Sequence, residues 1–500
     1  MALSRIRFTA VFLLGFLWTQ AAMAQDLQDR VIEHRLKNDL TLLLLERHEL
    51  PTVATNIRIK AGGVDELPGS TGLAHMVEHM LFKGTKTIGT RDYQKEQALL
   101  EKIQTVGNAL DQAERKGKAE EISLLKTEFQ KAQEEHRKLV IKDEFARIYS
   151  ENGGVGYNAS TSKDVTTYVV NLPANRLELW ARLEADRMAN PVLREFYSER
   201  DVVLEERRRG VESVGASRLY QEFLATSFLA HPYRLPVIGW ESDVRSLTPQ
   251  KLSKFLETYY VPNNTVISIV GDIDPKEVIA LVERYFGPIP AGPPPPSLIV
   301  EEPPQKGERR VQVLFDAESS LYIGYHKPNI PSREDYVFDV IDALLSDGRT
   351  SRLYRSLVDE KKIAYSVSTS SGTPGARYPN LFVLRAAPRS PHTTQELEKG
   401  IYAEIDKLQS ELVTPRELQK IRNRLEASFL MGLNSNSGLA NQLTYFQTIA
   451  GDWRYILNHR RILGTVTPEE IREVARKYLT PENRTVAELL RPKTDNGTKP

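Results

Sequence analysis

The sequence predicts an α+β protein built from two homologous domains. Two observations carry this expectation: a helix–strand unit that occurs twice, and a proline-rich stretch between the copies. Leu247-Thr248-Pro249 opens a helix that ends at Tyr259-Tyr260 and runs into VPNNTVISIVG. Val466-Thr467-Pro468 opens another that ends at Tyr478 and runs into TPENRTVAELL. Each copy reads as a threonine cap, proline in the first helical turn, a Pro/Asn turn and a β-branched strand. The offset is 219 residues until a one-residue insertion before the second strand. Duplication of one unit is the economical account.

From the N-terminus, Arg5 and Arg7 precede an apolar run from Phe8 to Trp18, and Ala22-Met23-Ala24 offers a small-x-small cleavage site. Residues 1–24 therefore read as a signal peptide, too short in its apolar run to span a membrane comfortably. A periplasmic or secreted chain with no membrane span after cleavage is expected. Strands are expected at Leu40–Leu45 and Ala54–Ile59, and a helix near Gly72–Lys83. Residues 92–148, rich in Ala, Glu, Lys, Gln and Leu, read as a helical hairpin turning near Lys116-Gly117-Lys118. Its charges suit a solvated face, with a docking surface as the alternative. Tyr157–Asn171 looks like a strand pair, and Glu199–Glu206 a charged helix with an apolar stripe. Residues 288–310 lie in FGPIPAGPPPPSLIVEEPPQKGERR, which forms neither a regular helix nor a central strand and suits a semi-rigid linker. The first domain then covers 25–287, the second 311–492, and 493–500 is a tail.

Composition narrows the function. With 67 Lys+Arg against 66 Asp+Glu the net charge is +1, so no electrostatic footprint for nucleic acid is present. At 40% hydrophobic and 27% charged residues the chain reads as soluble and globular. It has no cysteine, which excludes disulfides and leaves histidine and carboxylate as metal ligands.

One segment carries most of the chemistry: GLAHMVEHMLFKGT, containing His75, Glu78 and His79. Histidines four apart on a helix share a face and can reach one ion, with Glu78 between them on nearly the same face. This H-x-x-E-H order is the inverse of the commoner zinc-peptidase motif. Catalytic zinc takes three protein ligands, so a third is needed from another element. The strongest candidate region is Glu199-Arg200-Asp201-Val202-Val203-Leu204-Glu205-Glu206.

HMVEHMLFKGT and ERDVVLEE together resemble, in order, the two signatures of the pitrilysin/insulinase family of inverted-motif zinc metallopeptidases. The likeness is greatest to its short two-domain, processing-peptidase-like members. The resemblance implies one Zn2+ per chain held by His75, His79 and Glu206, with Glu199 supporting the site and Glu78 as general base toward a zinc-activated water. Glu205, about a third of a turn away, is the fallback ligand. It implies two domains, each a mostly antiparallel sheet with helices on one face, facing each other across a cavity. GYNASTSKDVTTYVV resembles the family's substrate-binding edge strand, which implies that Asn158, Ala159 and Thr161 contact a peptide added to the sheet. The 126 residues between His79 and Glu206 exceed the family's usual spacing, and the hairpin at 92–148 accounts for the surplus.

The resemblance also breaks. Single-chain members supply an arginine and a tyrosine, seven residues apart, from the second half. Here Tyr365 is present as a catalytic candidate, but Val358 stands where arginine is expected, and valine donates no hydrogen bond. Arg355, one turn earlier, is the candidate to reach in its place. The gap implies a homologous non-zinc partner chain that supplies the arginine/tyrosine pair in a heterodimer. The expected function is an exported zinc metalloendopeptidase acting on peptides or unfolded segments. The alternative is a non-catalytic assembly or binding subunit of a peptidase-like complex.

Overall fold

The structure, a computed structural model, describes residues 27–492; the expected signal peptide and the tail at 493–500 lie outside them. The first half forms a six-stranded sheet from β1 (Ile32–Arg35), β2 (Thr41–Glu46), β3 (Thr52–Ile59), β4 (Val155–Thr161), β5 (Thr166–Pro173) and β6 (Thr265–Gly271), in the order β1-β2-β6-β3-β5-β4. The second half forms a five-stranded sheet from β7 (Arg309–Leu314), β8 (Ser320–Lys327), β9 (Ala364–Thr373), β10 (Asn380–Pro388) and β11 (Arg484–Leu490), in the order β7-β11-β8-β10-β9. Removing β1 leaves one topology twice. In each sheet a single parallel pair, β2 with β6 or β7 with β11, sits beside antiparallel neighbours. The fold is the expected pair of homologous α+β domains.

The repeated unit is visible in its caps. Thr248 and Thr467 accept the amides of Lys251 and Glu470, each with proline following the cap. The apparent insertion is an error of sequence matching. Aligning Val266 with Val486 pairs residues on opposite faces: Val266 belongs to the core behind the first sheet, Val486 to the core in front of the second. Ile267 and Val486 both face their own helices, so the 219-residue offset continues through the strand. Side-chain alternation makes a one-residue slip a change of face.

Each sheet carries its own half's helices on the front. The first core includes Met76, Val77 and Met80 of the motif helix (Leu73–Met80), Trp180, Leu252 and Phe286. The second includes Val337, Ile341, Leu397 and Ile471. The back of each sheet is covered by a helix from the opposite half, which the sequence did not announce. Leu439, Ala440 and Leu443 of Asn436–Ile449 pack behind the first sheet. Leu219, Phe223 and Leu224 of Gly215–Ser227 pack behind the second. Across the junction Arg377 pairs with Asp65 at 2.9 Å, and Asp164 accepts the backbone amides of Ala376 and Arg377. A cleft of about 560 Å3 remains between the halves. The proline-rich stretch is anchored, because Glu302 accepts the amides of Leu229, Ala230 and His231 at 2.7–3.0 Å.

The insertion is two helices, Tyr93–Lys116 and Ala119–Arg137, joined through Gly117 at φ 67°. Among the described residues no helix is long and apolar enough to cross a membrane.

Candidate metal centre

The motif helix is built so that one face is core and the other chemistry. Leu73, Met76, Val77 and Met80 are buried, whereas His75, Glu78 and His79 are only partly so. Gly72 precedes the helix at φ 86°, where an added Cβ would lie 2.8 Å from the carbonyl oxygen of Ile238, so only glycine fits. Glu66, fully buried, accepts the amides of Gly72 and Ala74 and fixes the helix N-terminus. Burial pushes its carboxyl up to about 8, against the pull of those amides.

His75, His79 and Glu206 each offer a ligand atom, and these atoms lie within 4.8 Å of one another. Glu206 Oε2 is 3.5 Å from His79 Nε2 and 3.9 Å from His75 Nε2. Ligands about 2.0–2.1 Å from a tetrahedral zinc are separated by roughly 3.3 Å, and both Glu206–imidazole distances lie close to that spacing. Two imidazoles and one carboxylate form a donor set suited to catalytic zinc. Burial, with His79 nearby, lowers His75 to about 4, which keeps its imidazole neutral as a ligand must be.

Glu206 comes from the helix Phe196–Arg207. Glu205 on the same helix turns away, bonding Arg208 at 2.7 Å and Arg209 at 2.5 Å, and those guanidinium partners hold its carboxyl down to about 2. The fallback ligand is thereby excluded.

Glu199 Oε1 lies 2.9 Å from His79 Nδ1, and Lys83 Nζ lies 2.6 Å from Glu199 Oε2. Burial raises the Glu199 carboxyl, but the bonds to His79 and Lys83 outweigh it and hold it below its ordinary value. An ionised carboxylate only accepts, so the His79 proton sits on Nδ1 and the Nε2 lone pair faces Glu206. Burial lowers His79, and Glu199, Glu206 and Glu78 together raise it above its ordinary value. Lys83 is the residue sequence reasoning passed over. It lies in the loop just past the helix C-terminus, so helical spacing gave no signal for it. Lys83→Met is expected to weaken zinc binding by roughly 10–100-fold through loss of this support, measured by competition with a chromophoric chelator. Unchanged affinity would show that Glu199 needs no cation.

Glu78 is not part of the His75/His79/Glu206 cluster, and its Oε2 accepts the Thr161 hydroxyl at 2.6 Å. Burial raises its carboxyl, with the Thr161 hydrogen bond opposing. Asn158 lines a cleft of about 420 Å3 with Glu78, His79 and Phe82, while Ala159 packs partly buried against the first core. The opposite wall is Val140–Asp143, directly after the inserted hairpin. β4 pairs only with β5, so its outer edge is open among the described residues.

The second half contributes less. Val358 is buried in the second core. Arg355 is turned to Glu360 at 3.3 Å. Tyr365 is the second residue of β9, at the outer edge of the second sheet, 76% exposed, and lines neither the Glu78 cleft nor the cleft between the halves.

Fold and site together define a two-domain α+β protein with a His2Glu cluster, on an inverted motif, that could hold a metal ion. The family models agree. Residues 42–115 match "Insulinase (Peptidase family M16)" and residues 246–425 match "Peptidase M16 inactive domain", together just over half of the chain. The chain belongs to the pitrilysin/insulinase peptidase family. It is 26% identical over 453 residues to the zinc protease PqqE of Helicobacter pylori, covering 89% of each chain. The crystal structure of a protease from Helicobacter pylori superposes with a TM-score of 0.78 at 25% identity, over 92% of this chain and 99% of that one. The periplasmic protease PqqL of Escherichia coli gives a TM-score of 0.69 at 18% identity; the match covers 92% of this chain but only 47% of PqqL.

Proposed function

We propose that the chain is an exported zinc metalloendopeptidase that hydrolyses peptides or unfolded segments, and the zinc-bearing member of a heterodimer. The observation that carries the catalytic reading is the convergence of His75, His79 and Glu206, with Glu78 held beside them by Thr161. Zinc, when bound, polarises a peptide carbonyl and makes a water acidic enough to attack near neutral pH. Glu78 takes that water's proton and returns it to the leaving amine. The open edge of β4 binds the peptide backbone as an added strand, so recognition tolerates many sequences, and Asn158, which lines the same cleft as Glu78, meets a substrate side chain. A His2Glu set in a zinc-protease-like chain supports one Zn2+ per chain.

Three observations support a partner. Valine replaces the expected arginine, Tyr365 is exposed at an outer edge, and in PqqL this fold takes up about half of a longer chain. Tyr365 would then meet its counterpart only after assembly. The second family model, described as an inactive domain, covers mostly the second half and favours a supporting role for it; it is also the observation behind the competing reading of a non-catalytic subunit.

Metal analysis of the purified chain is expected to give one zinc, with peptide hydrolysis that is slow, removed by a chelator, and raised by adding a homologous partner chain. Zinc-free protein with chelator-insensitive behaviour would favour the non-catalytic reading. Full activity as a lone monomer would remove the heterodimer and keep the peptidase.

A further inference from the structure

The cleft between the halves takes no part in the chemistry above. Its walls come from the β4–β5 turn, the helix Gly215–Ser227, the segment 234–238 and the second sheet. Lys163, Arg234 and Arg385 line it, and no aspartate or glutamate does. Two of the three cations are engaged: Lys163 Nζ donates to the Leu235 carbonyl and Arg234 Nη1 to the Leu229 carbonyl. The Arg385 guanidinium is different. Among the described residues it has no hydrogen bond or ion pair, and it lies over the rings of Tyr322 and Tyr220, 5.2 and 5.7 Å from their centroids. Neither phenol hydroxyl has a hydrogen-bond partner among the described residues.

This arrangement has a chemical meaning. Ring faces hold the guanidinium in place without consuming its in-plane N–H groups. Those groups match a planar carboxylate in two parallel hydrogen bonds, with the phenol hydroxyls as further donors. Leu224, Val237 and Ile238 add an apolar patch to the wall, which suits the aliphatic part of an amino acid. Ser162 on the rim directly follows Thr161, the residue bonded to Glu78. β4 ends at Thr161, so a peptide added along it past Glu78 is directed toward the turn that lines this cleft.

We propose that the cleft between the halves is a second binding site, which takes a carboxylate of the bound peptide with Arg385 as its ionic anchor. The site extends the peptidase reading in naming a peptide as ligand, and it requires binding alone, not turnover. The carboxylate could belong to an acidic side chain or to the peptide C-terminus.

Calorimetry on the full chain carrying Glu78→Gln separates these sources. The probes are four versions of one acetylated ten-residue peptide, with Glu or Gln near the start and a free or amidated C-terminus. The carboxylate that is recognised should strengthen binding about tenfold, the size expected of one charge-assisted hydrogen-bonded pair. Arg385→Gln should abolish the difference, Arg385→Lys should keep part of it, and the neutral peptide should bind all three proteins alike. Arg385 is exposed, so neither variant threatens folding. Equal affinity for the four peptides, or a preference that survives Arg385→Gln, would overturn the site. A parent chain that hydrolyses peptides yet shows no carboxylate preference would keep its peptidase function and lose this proposal alone.

Discussion

Glu78→Gln is expected to leave zinc content unchanged and to lower kcat by roughly 10²–10⁴-fold, the range that a positioned general base contributes. The two parts of this outcome come from two features of the geometry. Zinc should be retained because the proposed ligands are His75, His79 and Glu206, whose ligand atoms cluster without Glu78. The rate falls because glutamine keeps the shape and can still accept from Thr161, but has no anionic oxygen to take a proton. The helix itself should be undisturbed, since its packing rests on Met76, Val77 and Met80 on the other face. Kinetics on a peptide substrate, paired with metal analysis, checks both parts. An unchanged kcat would refute the base role. Loss of zinc would instead show that Glu78 has been wrongly separated from the ligands.

How far the sequence could carry such an argument depended on the range of the interactions involved. The motif helix, the strand pair around Asn158 and the capped repeat were legible because their signals are local: a 3.6-residue period, alternation, and threonine before proline. His75, Glu78 and His79 share one helix, so their proximity follows from spacing alone. Glu206 required a resemblance, since nothing local says which of two adjacent glutamates turns inward; Arg208 and Arg209 decide it by engaging Glu205. The helices exchanged between the halves were illegible for a different reason. An apolar stripe says that a helix is buried, not which sheet it covers, and Leu443 packs against a sheet whose nearest strand is more than 150 residues away in sequence. The face error in the second repeat arose because a Thr-Val pair occurs in both strands one residue out of step.

The insertion is where structure most changes the reading, and Glu96→Gln is the sharpest test of it. As a charged, Ala/Glu/Lys-rich hairpin it reads as a solvated face or a docking surface, and deleting residues 95–145 would be the direct way to test docking separately from cleavage. Its root does not permit that. Glu96 is fully buried and accepts from Arg194 Nε at 2.6 Å, with His136 Nε2 at 2.9 Å. Arg194, also fully buried, donates to the carbonyls of Lys83, Thr85 and Ile88 and so fixes the loop that leaves the motif helix. Lys83 in that loop holds Glu199, which holds His79. Removing the charge of Glu96 strands a buried guanidinium, which costs about 3–5 kcal/mol. Glu114→Gln breaks the half-exposed pair with Lys126 farther along the hairpin and should cost under about 1 kcal/mol. The pH dependence has a defined sign. Burial raises the Glu96 carboxyl, but His136 and Arg194 outweigh it and hold it below its ordinary value. Its stabilisation is therefore present above the unfolded-state value and fades as pH falls through the folded one, so the variant and the parent should converge in acid. Denaturation curves for the two variants decide between a root and an arm. If Glu96→Gln costs no more than Glu114→Gln, the hairpin is an appendage, and its exit segment Val140–Asp143 reaches the Glu78 cleft without being anchored by it. If the difference is several kcal/mol, the insertion is part of the frame that holds Lys83 and, through Glu199, the orientation of a metal-facing imidazole.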